Sequence, residues 1–331
     1  MAQIDILLAA YNGEKFIAEQ IDSILAQTFQ DFRLVIRDDG SSDKTPEIIE
    51  DYANKYPDKI QVIHDDAVCK HPTKNFFQLM KYAQADYVMF SDQDDYWLPY
   101  KVQITLDYMK KAERDNPGKP VLIFTGLQIV DENLKSMDDL MSLDFPESRY
   151  TFMELLPCNC AAGCTQMMNR ECYSNLGEFH EDIRLHDWWT ILYAAAFGVV
   201  IRVPMALILY RQHGNNAIGA SIDRPQVGES GILNKIASVL RLITRPVRKV
   251  KQIIHKAWYM RGQNEFFKTS YSDKMSNERL SELNEYLELF SDSIITRFRA
   301  MRKLRNLYQF EHYIGRISRL LLVLFGNRKE K

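Results

Sequence analysis

The chain has 331 residues, of which 46% are hydrophobic and 26% charged, and its formal net charge is −2. This composition is typical of a folded globular protein and excludes a disordered or fibrous chain. The charge is unevenly distributed: residues 232–331 hold 21 of the 42 basic and 9 of the 44 acidic residues, an excess of +12, which leaves −14 on the first 231. The asymmetry predicts an acidic head and a basic tail that seeks anionic surfaces. We expect no nucleic-acid partner.

The first 130 residues alternate short apolar runs with helical periodicity, as in a parallel sheet covered by helices. The predicted strands are 4–9, 32–37, 60–64, 87–91 and 121–125, and the predicted helices are 14–27, 46–56, 75–83 and 99–114. Between residues 150 and 211 the pattern is mixed, with a predicted helix at 186–197 and predicted strands at 199–203 and 207–209. Beyond residue 231 we expect helices, interrupted near Pro246 and at 269–276. The sequence therefore predicts an α/β domain at 1–225 and a basic helical region at 226–331.

Neither end of the chain has the pattern of a targeting or membrane-spanning segment. The first apolar run has no basic residues before it and breaks at residues 11–13, so we expect no signal peptide. The apolar run 320–325 is far shorter than the roughly 20 residues of a spanning helix. Five cysteines, three of them at positions 158, 160 and 164, are expected to be reduced thiols and not disulfides or zinc ligands. We expect a cytoplasmic protein.

Acidic and polar residues follow three of the predicted parallel strands, where ligands of open α/β sheets bind. These segments are residues 10–14 (AYNGE), 38–43 (DDGSSD) and 92–95 (DQDD). Carboxylates so closely spaced repel one another unless a cation compensates them. In an extended segment Asp92 and Asp94 point to the same side, which suits Mg²⁺ or Mn²⁺ bound together with a diphosphate. A solvated cluster of helix-capping residues is the alternative interpretation.

These segments, together with residues 7–13 (LLAAYNG) and 186–189 (HDWW), resemble glycosyltransferase family 2, of the GT-A fold. The resemblance covers about the first 215 residues and is greatest to bacterial rhamnosyltransferases of cell-wall and capsular polysaccharides, which end similarly to residues 210–213 (YRQH). It implies an α/β fold with a mostly parallel, Rossmann-like sheet and flanking helices, followed here by the helical region. The Gln-x-x-Arg-Trp motif of processive synthases is missing, which disfavours a processive enzyme.

The resemblance also implies roles for individual residues. Tyr11 and Asp39 would hold the nucleotide base, Asp94 would bind the metal, and Asp92 would lie near both ribose and metal. Asp187 would be the catalytic base. The other implied nucleotide-sugar contacts are Ala10, Asn12, Glu14, Gln93 and Lys74. His213 would reach the metal or the leaving diphosphate, and Arg211 would neutralise phosphate charge. A structural or surface role is the alternative for both residues.

Asp187 also has a physical case of its own. An inverting transfer needs one carboxylate to remove the acceptor proton while the acceptor oxygen attacks the anomeric carbon. The neighbours His186, Trp188 and Trp189 could raise the pKa of this carboxyl group and offer aromatic faces to a sugar ring. The alternative is a helix-capping aspartate next to core tryptophans.

The sequence thus predicts an inverting, metal-dependent glycosyltransferase that extends a glycan or lipid-linked glycan, with dTDP-L-rhamnose as the favoured donor. Within the same fold, a UDP-hexose or UDP-N-acetylglucosamine transferase remains open. A non-catalytic nucleotide-sugar-binding scaffold is disfavoured because both Asp94 and Asp187 are present, and a nucleotidyltransferase because no glycine-rich phosphate loop follows the first strand. For the basic tail, contact with an anionic membrane at 240–251 and 316–325 and a role in homo-oligomerisation remain equal alternatives.

Overall fold

The computed structural model describes residues 2–137, 150–214 and 259–304, together with Val323. The chain divides into two compact units. The first contains the described residues up to 155 and from 159 to 214, and the second contains residues 156–158 and the described residues from 259 onwards. The predicted domain boundary near residue 225 lies outside the described residues.

One sheet forms the centre of the first unit. Within the described residues its strands are β1 Ile4–Ala10, β2 Phe32–Asp38, β3 Ile60–Val62, β4 Tyr87–Asp92, β5 Tyr96–Trp97, β6 Val121–Val130, β7 Gln166–Asn169 and β8 Val199–Arg211. Their order is β3-β2-β1-β4-β7-β6-β8-β5. Strands β1 to β4 pair in parallel, as do β6 and β8. Strand β7 is antiparallel to both β4 and β6, and β5 is antiparallel to β8. The predicted α/β fold with a mostly parallel sheet is confirmed.

The helices of this unit are α1 Ile17–Leu25, α2 Thr45–Lys55, α3 Pro72–Met80, α4 Lys101–Asp115, α5 Phe152–Leu155, α6 Arg170–Tyr173 and α7 His186–Phe197. Helix α1 buries Ile17, Ile21 and Ile24, a spacing that gives one apolar face. Helix α7 is buried along nearly its whole length, from His186 to Ala195, so it packs inside the unit.

Most predicted elements are present, with shifted ends. Helix α3 begins at Pro72, earlier than predicted, because proline is favoured in the first turn, where its missing N–H costs no hydrogen bond. The two strands predicted at 199–203 and 207–209 are the single strand β8. Strands β5 and β7 were not predicted, because each is only two to four residues long. The short β5 nevertheless helps to form the site, as described below.

The second unit is helical in its described part. It contains α8, residues 259–271, then α9 Asn277–Leu287 and α10 Ile294–Leu304, with 3₁₀ turns at Ser272–Lys274 and Glu288–Phe290. The predicted interruption at 269–276 is confirmed as the break between α8 and α9. No helix among the described residues is long and apolar enough to cross a membrane. The basic segment 240–251 lies outside the described residues, as does the apolar run 320–325 apart from Val323.

Candidate active site

The register of the parallel strands brings the three acidic and polar segments together at one edge of the sheet. Ala9 at the end of β1 lies opposite Asp92 at the end of β4, and Ala10 lies opposite Asp38 at the end of β2. Because carboxyl ends of parallel strands share an edge, the segments 10–14, 38–43 and 92–95 are neighbours in space.

Asn12 and Glu14 connect the segment after β1 to the segment after β2. The Asn12 N–H donates to Ser41 Oγ at 2.7 Å, and Asn12 Oδ1 accepts from the Ser42 N–H at 2.8 Å. Glu14 Oε2 accepts from the Lys44 N–H at 3.1 Å. Both were predicted to bind the nucleotide sugar, but here their side chains hold two loops in place.

Gln93 fixes the backbone of Tyr11. Its Oε1 accepts from the Tyr11 N–H and its Nε2 donates to the Tyr11 carbonyl, both at 2.8 Å. The amide lies where a side chain on Gly13 would be, since an ideal Cβ there would be 2.3 Å from Gln93 Oε1. Ala10 is buried, whereas Tyr11 is 53% exposed. Tyr11 is the aromatic residue among the predicted contacts, and its exposed ring can stack on a base.

Asp39 is buried and belongs to a network that the sequence did not indicate. Its Oδ1 accepts from the Cys69 N–H at 2.7 Å, and its Oδ2 accepts from the Lys70 N–H at 2.7 Å. The buried Arg37 donates to Asp39 at 3.1 Å and to Asn75 Oδ1 at 2.7 Å. The Cys69 side chain also hydrogen-bonds to Asp39, so the Asp39 carboxylate is well satisfied within the protein.

Lys74, the remaining predicted contact, lies half-buried in the first turn of α3.

Asp94 and His213 meet although 119 residues separate them. Their Oδ2 and Nε2 atoms are 2.9 Å apart, and both side chains are partly exposed, at 17% and 13%. The antiparallel pairing of β5 with β8 places Tyr96 opposite Leu209 and so brings the end of β8 to the acidic loop. This accessible carboxylate–imidazole pair offers the donor types that Mn²⁺ or Mg²⁺ accepts, alongside phosphate oxygens and water.

Arg211 is only 2% exposed and contacts the backbone of the acidic loop, residues 92–95. Its Nε donates to the Asp94 carbonyl at 2.9 Å, and its other nitrogens bond to the Glu132 carbonyl and to Glu19. The guanidinium carbon lies 4.5 Å from the centre of the Phe16 ring. The expectation that Arg211 faces a phosphate or sugar is therefore corrected in favour of a structural role. All three guanidinium nitrogens have partners within the protein, and one of these partners is the Asp94 carbonyl.

Asp92 lies next to Asp95 and Cys164. One donor atom from each of the three lies within 4.8 Å of the others, so this group could hold a cation. The predicted ligands Asp92, Asp94 and His213 thus fall into two neighbouring groups. Burial, followed by the charges of Asp94 and Asp187, raises the pKa of Asp92 to about 7. Burial also raises the pKa of Asp95 and Cys164. A cation bound beside Asp92 would relieve this mutual repulsion.

Asp187 lies in the first turn of α7 and is 9% exposed. Its Oδ2 accepts from the Gly163 N–H at 3.0 Å, and its Oδ1 accepts from the Trp188 N–H at 2.7 Å. Burial raises the pKa of this carboxyl group to about 6. Its charge in turn raises the pKa of Asp92, so the two groups share one site. A partly desolvated carboxylate with such a pKa is suited to general base catalysis.

The aromatic neighbours of Asp187 are core residues. Trp188 Nε1 donates to the Leu155 carbonyl at 2.8 Å, Trp189 Nε1 donates to the Leu176 carbonyl at 3.0 Å, and the two side chains are 5% and 1% exposed. The expectation that they offer faces to a sugar was therefore wrong, because helix α7 is buried on all sides. The His186 ring stacks on Phe76 at 4.0 Å, and burial lowers its pKa to about 3. Neither of its ring nitrogens has a hydrogen-bond partner in the described part of the chain.

Gly163 and Phe16 contribute to the site without having been predicted. Gly163 binds the Asp187 carboxylate, and an ideal Cβ on it would lie 2.5 Å from His186 Nε2. In the sequence, the run of small residues at 161–163 was the one indication that another element approaches closely at Gly163. The Phe16 ring is 4.7 Å from the ring of His213 and supports it. No sequence pattern distinguishes Phe16 from the other apolar residues at the start of α1.

Comparison with known proteins identifies relatives of this chain. Residues 5–177 match the sequence model of Glycosyl transferase family 2. A dTDP-rhamnosyl transferase, RfbG of Shigella flexneri, is 30% identical over 230 residues, which cover 65% of this chain and 74% of that protein.

Solved structures share the fold. The crystal structure of S. aureus TarS 1–349 in complex with UDP-GlcNAc superimposes with a TM-score of 0.54 at 18% identity, covering 98% of this chain and 89% of that one. In the structure of a longer TarS chain, the match covers 56% of that chain. A mannosyltransferase of Pyrobaculum calidifontis in complex with GDP-Man and Mn²⁺ gives a TM-score of 0.54 at 16% identity, covering 98% and 87% of the two chains. These likenesses confirm the predicted GT-A architecture.

Proposed function

Because this chain belongs to glycosyltransferase family 2, we propose that it transfers a sugar from a nucleotide diphosphate donor to a glycan hydroxyl with inversion at the anomeric carbon. The observation that carries the proposal is the buried Asp187, held by two backbone N–H groups next to Asp92. Burial raises the pKa of this carboxyl group to about 6, so it is suited to accept a proton near neutral pH.

In the proposed reaction the acceptor hydroxyl gives its proton to Asp187 as its oxygen bonds to the anomeric carbon. The bond from that carbon to the diphosphate oxygen breaks on the opposite face, and its electron pair leaves with the nucleotide diphosphate. No covalent enzyme intermediate forms, because Asp187 acts as a base. The exposed ring of Tyr11 stacks on the nucleotide base, and the base imide donates to the Asp39 carboxylate.

Asp94 and His213 would hold a divalent cation, with Asp92 beside them. The Arg211 guanidinium fixes the Asp94 backbone and thereby the position of its carboxylate. A bound Mn²⁺ or Mg²⁺ would neutralise the charge that develops on the leaving diphosphate. The donor chemistry of the Asp94–His213 pair and the crowding of carboxyl groups at Asp92 support this part of the proposal.

The favoured donor is dTDP-L-rhamnose, and the favoured acceptor is a glycan or lipid-linked glycan at the cytoplasmic side of a membrane. The 30% identity to a dTDP-rhamnosyl transferase supports the donor. UDP-hexoses and UDP-N-acetylglucosamine are the competing donors, since none of the contacts above touches a sugar.

The test is a donor panel. Purified protein is incubated with dTDP-L-rhamnose, UDP-glucose, UDP-galactose, UDP-N-acetylglucosamine or GDP-mannose, with Mn²⁺, Mg²⁺ or EDTA, and released nucleotide diphosphate is measured. We expect metal-dependent release from dTDP-L-rhamnose above all others, and loss of release in Asp187→Asn. Preferential turnover of a UDP-sugar would replace the donor only. Binding of a donor with no turnover under any condition, even with glycan acceptors added, would instead indicate a scaffold.

A further inference from the structure

Helix α10 exposes bulky apolar side chains to solvent. Ile294, Ile295 and Phe298 are 50%, 63% and 62% exposed. Among the described residues only four other large apolar side chains are comparably exposed, namely Tyr11, Val68, Tyr100 and Met205, and these are scattered along the first unit. Three such residues within five positions of one helix form a contiguous apolar patch, which isolated exposed residues do not.

The opposite face of α10 is already packed. Arg297, Ala300, Met301 and Leu304 are buried, and they recur at the spacing of one helix face. Arg297 Nε donates to the Val323 carbonyl at 2.7 Å, and its Nη1 donates to the Asp292 carbonyl at 3.1 Å. The orientation of the helix is therefore fixed within the second unit. The exposed apolar face is therefore separate from the face that packs against the rest of the unit.

Basic side chains continue the exposed face. Arg299 and Arg302 are exposed, and with Ile295 and Phe298 they follow the i, i+3, i+4, i+7 spacing of one stripe. Lys303 beside them is 61% exposed and lies 3.4 Å from Glu285. The stripe belongs to the part of the sequence, residues 232–331, that carries 21 basic and 9 acidic residues, an excess of +12. It is thus apolar at its centre and cationic along its continuation.

We propose that this stripe, formed by Ile294, Ile295, Phe298, Arg299 and Arg302, rests on an anionic lipid surface. The apolar side chains enter the boundary between headgroups and acyl chains, while the guanidinium groups bind lipid phosphates. A second copy of the chain suits the stripe less well, because an isologous contact would bury the arginines of both copies while the stripe offers no acidic residue to pair with them. The inference rests on the proposed function only in that a lipid-linked acceptor lies at such a surface.

The experiment is flotation of the full chain with vesicles, at low and high salt. Anionic vesicles of phosphatidylcholine with about 30% phosphatidylglycerol are compared with vesicles of phosphatidylcholine alone. We expect binding to the anionic vesicles that is released by salt. Ile295→Asp/Phe298→Asp should lower the bound fraction about tenfold or more, because each change places a charge in the apolar layer. Arg299→Gln/Arg302→Gln should weaken binding and flatten its salt dependence while leaving the fold unchanged. Met205→Asp, at an exposed apolar residue of β8, is the matched control and should bind like the unmodified chain.

Circular dichroism, donor binding and light scattering are measured on the same samples. The proposal is overturned if the unmodified chain does not float with anionic vesicles, or if both double variants bind these vesicles as well as the unmodified chain does. A dimer that Ile295→Asp/Phe298→Asp converts to a monomer, without vesicle binding, would assign the stripe to a second copy. Because donor binding is measured separately, failure of this proposal is distinguishable from failure of the proposed function.

Discussion

At the scale of single residues, Asp187 carries the clearest prediction. Asp187→Asn keeps the size of the side chain and one carbonyl acceptor but removes the ability to take a proton. We expect donor affinity to stay nearly unchanged and kcat to fall by about 10²- to 10⁴-fold, the usual range for a lost general base. Donor titration and single-turnover kinetics check this. A collapse of donor affinity with unchanged chemistry would reassign Asp187 to binding.

The pKa of Asp187 also predicts a pH profile. Burial raises it to about 6, and a base acts only when it is deprotonated. Accordingly kcat/KM should rise with pH, reach half its plateau near pH 6, and stay constant above about pH 7. An inflection near pH 4, the ordinary range for aspartate, would contradict the burial of this carboxyl group in the working enzyme.

Asp94 is the residue through which metal dependence can be tested. Asp94→Ala should abolish transfer and remove the tightening of nucleotide diphosphate binding by Mn²⁺, while the melting temperature stays close to that of the unmodified chain. Asp86→Ala is the matched control. The Asp86 side chain is 69% exposed, and Asp86 immediately precedes β4, whereas the acidic loop follows the other end of this strand. Full activity of the unmodified chain in EDTA would remove the metal from the mechanism.

At the scale of elements, the site depends on close approach between the turn Gly163–Thr165 and the start of α7. Gly163→Ala would place a Cβ 2.5 Å from His186 Nε2 and 3.4 Å from Asp187 Cβ. Since the imidazole is stacked on Phe76, it has little freedom to move aside. We expect kcat to fall about tenfold or more with donor affinity retained, because the base is displaced.

The double variant Gly163→Ala/His186→Ala tests whether crowding is the cause. Removing the imidazole leaves space for the new methyl group, so much of the lost activity should return relative to His186→Ala alone. Activity in Gly163→Ala equal to that of the unmodified chain would mean that this turn does not position Asp187.

At the scale of the whole molecule, a buried lysine should affect stability. Lys101 is 0% exposed, its Nζ lies 3.6 Å from the centre of the Trp97 ring, and it has no hydrogen-bond partner among the described residues. Burial lowers its pKa to about 7. Between pH 7 and 10.5 the unfolded chain therefore binds a proton that the folded chain does not, so folding becomes more favourable as pH rises.

Lys101→Met removes this titration while keeping a similar length. The stability of the unmodified chain relative to the variant should increase with pH from 7 to 9, by up to about 1.4 kcal/mol per pH unit. Urea unfolding at several pH values measures the difference, in which the titrating groups that do not interact with Lys101 cancel. Lys111→Met, at an exposed position of α4, should give no such slope. A slope of the opposite sign, or none, would mean that Lys101 stays protonated in the folded chain.

The sequence by itself determined the order of the elements, the family and the residues at the strand ends. Apolar runs such as 4–9 and 87–91 predict buried parallel strands, and strand direction then fixes that Asp92 and Asp38 lie at one edge. What it could not give was the direction in which each side chain points.

Only the tertiary structure decided which neighbours of the acidic residues are buried and which distant residues reach them. Trp188 and Trp189 are adjacent to Asp187 in sequence but buried, because α7 packs inside the unit. His213 reaches Asp94 only because the two-residue strand β5 pairs with β8. Arg211, two residues before His213, turns inward to hold the Asp94 backbone. Local patterns reflect spacing along one element, whereas these contacts depend on long-range pairing and on the packing of side chains between elements.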